Sequence, residues 1–155
     1  MSKFVSRRTL FVTLLACGLC GAVGAATPPA TGLGQAWPNA QDVSASPNYH
    51  AYVFVLGGIQ YIQINDLNGN VLGSVGTSGG QFITLPIGKF AQLVTTPQQP
   101  AASPTSAAPA ASPTTVYNDS TTTVTATPMT DGSTKLTASS MAICSDPATC
   151  GTHGP

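Results

Sequence analysis

Three glycine-marked turns cut residues 49–85 into short runs of β-forming side chains, and that spacing constrains the fold more than any other feature. Tyr49 to Leu56 is rich in aromatic and β-branched residues, Gly57-Gly58 suits a two-residue hairpin turn, and Ile59 to Asn65 continues in the same style. Asp66-Leu67-Asn68-Gly69 forms a second turn before Val71 to Val75, and Thr77 to Gly80 a third before Gln81 to Leu85. Pro86 ends that strand, and Phe90 to Thr95 reads as a fifth. The pattern predicts a mainly β fold, a small antiparallel meander or sandwich-like domain over 48–95.

The strand faces can be read as well. Ala51, Val53 and Val55 alternate with Tyr52, Phe54 and Leu56, so both faces of the first run are apolar. That predicts a central strand covered on both sides. In the next run Ile62 and Ile64 oppose Tyr61, Gln63 and Asn65, which predicts one buried face and one wetter face.

Flanking segments differ in composition. Residues 26–47 are small, polar and interrupted by proline, and they read as an irregular lead-in that carries the chain's one tryptophan, Trp37. Trp37 is expected to tack this lead-in onto the folded part, with exposed ligand stacking as the other use. Residues 96–115 hold Pro97, Pro100, Pro104, Pro109 and Pro113 among Ala, Ser, Thr and Gln, with no charge. Too little apolar area is available there to fold, so a disordered Pro/Ala/Ser-rich linker biased to extended conformations is predicted. Residues 116–155 follow as a Thr-rich β-hairpin turning at Asp131-Gly132, with a tail closed by a disulfide between Cys144 and Cys150. The hairpin has few apolar residues of its own and must dock on the first sheet, pair with another chain, or stay loose.

The N-terminal 1–25 read as a signal peptide. Lys3, Arg7 and Arg8 precede a short apolar run from Leu10 to Leu19, and the small residues before Ala25 and Ala26 suit a signal peptidase. A membrane span needs about twenty apolar residues, so this run is too short to stay in the bilayer, and no later segment is a candidate. Ser6-Arg7-Arg8-Thr9-Leu10 resembles a twin-arginine leader, against the simpler reading of two ordinary n-region charges. Leu14-Leu15-Ala16-Cys17 resembles a lipobox, which would make Cys17 a lipidation site and anchor the protein. An exported setting also favours oxidation of the remaining cysteines.

Without the leader the basic side chains are Lys89 and Lys135, against Asp42, Asp66, Asp119, Asp131 and Asp146. Two positives against five negatives give a mature formal charge of minus three, with neither arginine nor glutamate remaining. Two scattered lysines cannot neutralise a phosphate backbone, so no nucleic-acid partner is expected.

Candidate sites are few. His50 is the one histidine before the tail, and catalysis would require a nucleophile and a carboxylate, Asp42 or Asp66, gathered around it. Strand packing or plain exposure is the simpler reading, and no catalytic residue is assigned. Asp66 to Asn70 resembles the opening of a calcium loop, but Val71 stands where glycine is needed. Cys144, Cys150 and His153 have the wrong spacing and lack a fourth ligand, so no metal is expected. Asn118-Asp119-Ser120 matches a glycosylation acceptor that acts only in a eukaryotic secretory route. No cofactor motif occurs. These features together predict a small exported protein, periplasmic, envelope-bound or secreted, with a non-catalytic binding or structural role and an envelope or extracellular protein partner. A secreted enzyme inhibitor that presents a rigid loop, and an envelope lipoprotein anchored through Cys17, are the alternatives.

Overall fold

The computed structural model describes residues 29–141. Ala25, Ala26, Cys17, Cys144, Cys150 and His153 lie outside the described residues, and with them the signal, lipidation, disulfide and tail-metal expectations. Within the described residues no helix is long and apolar enough to cross a membrane.

The chain is mainly β, built from two four-stranded sheets. The first is an antiparallel meander in sequential order: β1 (Tyr49–Leu56), β2 (Ile59–Asp66), β3 (Val71–Ser78) and β4 (Gln81–Leu85). Gly57-Gly58 and Gly79-Gly80 hold positive φ at both turn positions, so each closes a two-residue hairpin whose twist matches its strands. The Asp66–Asn70 turn is wider: only Gly69 is left-handed there, at φ 82°.

Contrary to the face pattern, β1 is an edge strand and not a central one. Both faces are nonetheless covered as far as Phe54, with Ala51, Tyr52 and Phe54 all buried, whereas Val55 and Leu56 at the hairpin end are exposed. The lead-in makes up the missing neighbour: Asp42 bridges to Tyr52, and the Val43 N–H donates to the Ala51 carbonyl at 2.9 Å. Face polarity reports burial, whereas strand order depends on which backbone groups pair, so irregular chain can supply the cover.

The expected fifth strand belongs elsewhere. After β4 the chain turns at Gly88, makes a short 3-10 turn at Ala91–Leu93, and enters the second sheet as β5 (Val94–Thr95). That sheet runs β5-β8-β7-β6, with β6 at Thr114–Asn118, β7 at Thr122–Pro128 and β8 at Thr134–Ser140. Strand β5 pairs parallel with β8, and the other pairs are antiparallel. The Thr-rich hairpin is therefore β7–β8, and it does dock. Val94, Val116, Val124, Ala126, Leu136 and Ala138 share one core with Ala51, Ile62, Ile64, Val75 and Phe82 of the first sheet. Neither sheet has enough apolar surface alone; facing one another they enclose it.

The Pro/Ala/Ser segment, expected as a disordered linker, is tied down along its length. Gln98 and Gln99 side chains accept from the Phe82 and Thr84 N–H groups at 3.2 and 2.7 Å, covering the open edge of β4. Farther on, the Ser103 N–H donates to Gln92 O, the Thr130 N–H to Ala108 O, and the Ala110 N–H to Pro128 O. Prolines keep it extended, and these backbone bonds hold it as a strap over the second sheet.

One polar cluster stitches the sheets together. Gln60 Nε2 donates to the Tyr117 hydroxyl at 2.8 Å, which donates in turn to Asp119 Oδ2 at 2.7 Å. Burial pushes the Asp119 carboxyl up, but hydrogen bonds from Tyr117, Thr121 and Gln60 outweigh it and hold the group well below the carboxylate range. Burial and the Asp119 charge push Tyr117 upward. The depressed Asp119 value gives stability that is present above the unfolded carboxylate range, about pH 4, and is lost as pH falls below it. The raised Tyr117 value gives stability that is present below about pH 10 and is lost as pH rises further. The contribution of this cluster to the urea midpoint should thus be constant between these limits, and Asp119→Asn should make the acid limb of the midpoint profile shallower; an unchanged acid limb would contradict that role.

Candidate functional site

Gln63 and Asn65 were expected on a wetter face of β2, yet both are fully buried. The lead-in lies over that face, and the two side-chain amides bind its backbone. Gln63 Oε1 accepts from the Gly34 N–H at 2.6 Å, while its Nε2 donates to Gln35 O at 2.8 Å and Asn65 Oδ1 at 2.9 Å. Asn65 Nδ2 donates to Ala36 O at 2.7 Å and Gly69 O at 3.3 Å. Every amide hydrogen and oxygen of the pair thereby finds a partner, which a buried amide requires.

These bonds end at the residue before Trp37 and at the glycine beneath it. Gly69 floors the indole so closely that a Cβ there would sit 2.7 Å from Trp37 Cε2. Trp37 nevertheless keeps 59% of its surface exposed. It tacks the lead-in down through one face and leaves the other open, so both sequence-based uses of this residue remain compatible with its position.

The turn carrying Gly69 is itself locked. Asp66 Oδ1 accepts from the Asn68 and Asn70 N–H groups at 2.9 and 2.8 Å, and Oδ2 accepts from Asn70 Nδ2 at 2.8 Å. Slight burial raises the Asp66 carboxyl, but these bonds dominate and lower it. Its oxygens thus serve their own loop and lock the turn. Leu67, two residues before Gly69, projects with 53% exposure.

His50 lies beside this surface, with its ring centroid 5.3 Å from that of Trp37 in an edge-on arrangement and 6.1 Å from that of Tyr52, stacked. Its Nδ1 donates to Asp42 Oδ2 at 2.6 Å. Partial burial raises the Asp42 carboxyl, but hydrogen bonds from His50 and from the Ala51 and Ser44 N–H groups outweigh it and lower the group. The structure thus brings together the His50 and Asp42 that a nucleophilic site would need, while Asp66 stays with its own turn. Among the described residues no hydroxyl or thiol hydrogen-bonds the other ring nitrogen, and no three His, Cys, Asp or Glu side chains gather to hold a metal.

The sequence reading missed the Gln63–Asn65 pair. Its available signal was two amides at a spacing of two on the face opposite Ile62 and Ile64, following a proline-rich stretch with unsatisfied backbone groups. No family model matches the chain, and neither does any curated protein or solved structure.

Proposed function

We propose that the chain is an exported protein with a non-catalytic binding role, and that it docks on an envelope or extracellular protein through Trp37 and Leu67. The observation that carries this reading is an exposed tryptophan whose flanking backbone is held by two fully buried amides. Tryptophan dominates the energetics of many protein interfaces because a large rigid ring can be desolvated with little loss of conformational entropy. A preformed loop lowers the ordering cost of association further.

The inhibitor reading is the special case in which the partner is a co-secreted hydrolase and Leu67 enters its cleft. The locked Asp66–Asn70 turn favours it, since an inhibitory loop must resist remodelling.

Pull-down of the tagged mature protein from envelope extracts, with mass spectrometry of bait and prey, tests the proposal. A prey captured by the wild type should be lost with Trp37→Ala and weakened with Leu67→Ala. With purified prey, the affinity of Trp37→Ala should fall by about tenfold or more, and wild-type Trp37 emission should shift to the blue as the indole is covered. Equal capture by both variants would sink the proposal. The bait's own N-terminus reports export: cleavage next to Ala25 or Ala26 marks release, and an acylated Cys17 marks anchoring.

A further inference from the structure

The strap does not lie flush on the second sheet. Between the two runs a groove of ≈ 530 Å³, within the size range of small-ligand sites. Its floor is the outer face of the β7–β8 hairpin. Register places Thr125 opposite Thr137 and Thr127 opposite Lys135, on the face turned away from core residues Val124, Ala126 and Leu136. Its apolar wall includes Leu93, Pro109 and Met129.

Lys135 makes this groove chemically specific. It is half-buried, it lines the cavity, and among the described residues it has no ion-pair partner. Lysine ordinarily runs its stem along apolar surface and keeps the ammonium wet or paired. Here the stem has apolar company, and among the described residues the head has no counter-charge. Asp131 does not line the groove, and its carboxylate is taken by the Ser133 N–H and hydroxyl and by the Thr105 hydroxyl. The Thr125 hydroxyl makes only a 3.5 Å bond to Thr137 O and remains available to a ligand.

We propose that this groove is a second binding site, distinct from the Trp37 surface, and that it takes a small carboxylate with an apolar body. The body lies along Leu93, Pro109 and Met129, the carboxylate meets Lys135, and the threonine hydroxyls satisfy its remaining lone pairs. An anion matches the Lys135 ammonium, which has no ion-pair partner among the described residues, and an apolar body matches the proline-lined wall.

The probe is decanoate below its micellar concentration, with decan-1-ol as the uncharged control, titrated calorimetrically into the full mature chain. Decanoate should bind at least about tenfold more tightly than the alcohol, and Lys135→Met should remove that preference while leaving the melting temperature close to wild type. Thr137→Trp, which fills the floor, should block both ligands. Trp37→Ala should leave decanoate binding intact, so failure here and failure of the Trp37 proposal are separable. Equal binding of acid and alcohol, or decanoate affinity unchanged in Lys135→Met and Thr137→Trp, would overturn the assignment, as would no decanoate binding up to millimolar concentration.

Discussion

Gly88→Ala is expected to destabilise the fold by about 3 kcal/mol or more. The glycine has φ 109°, a region that side-chain-bearing residues rarely adopt, and a Cβ there would sit 2.6 Å from the backbone of Leu72 and Gly73. Backbone cannot rotate out of the way as a side-chain tip can. The close approach has a structural cause. Immediately after Gly88, the Lys89 and Phe90 N–H groups donate to Val71 O and Leu72 O at 2.8 Å each, which steers the chain from the first sheet into β5. Displacing residue 88 therefore disturbs the crossover that brings both sheets onto one core. Gly79→Ala is the control: its φ is 57° and nothing lies within 4 Å of an added Cβ, so only local strain of about 1–2 kcal/mol applies. Urea unfolding of the two variants should separate them clearly, and equal losses would show that the packing at Gly88 contributes nothing.

Gln63→Leu is the second large effect, expected at about 2–4 kcal/mol. Leucine keeps roughly the volume of glutamine but offers no hydrogen bonds. The Gly34 N–H, the Gln35 carbonyl and Asn65 Oδ1 all lose their contact with Gln63. If the lead-in lifts away to rehydrate these groups, the loss moves toward the low end and Trp37 is released. A red shift and faster depolarisation of the single tryptophan should accompany the lower urea midpoint. Wild-type stability with unchanged emission would mean that the amides do not hold the lead-in.

Much of the first sheet is legible from local chemistry, because Gly57-Gly58 and Gly79-Gly80 must turn and the runs between them must pair with their sequence neighbours. The Thr-rich hairpin is legible on the same grounds. Long-range choices are not. Val94-Thr95 carries the same β-propensity whether it extends the meander or joins β8, and only the shared core decides. The Pro/Ala/Ser segment carries no apolar pattern, and what holds it is backbone and glutamine hydrogen bonding that composition does not report. Similarly, Gln63 and Asn65 read as solvent-facing because polarity alone does not distinguish water from a covering backbone. The His50–Asp42 pair could be named as a requirement, but its 2.6 Å contact depends on the lead-in folding back along β1.

The proposed docking surface requires Trp37 to be held rigid and open at once. As the chain has one tryptophan, time-resolved fluorescence anisotropy with acrylamide quenching on the mature protein measures both properties without ambiguity of source. A rotational correlation time equal to that of the whole molecule, together with efficient quenching, is the predicted result. Fast local depolarisation, or an indole that acrylamide does not reach, would contradict it.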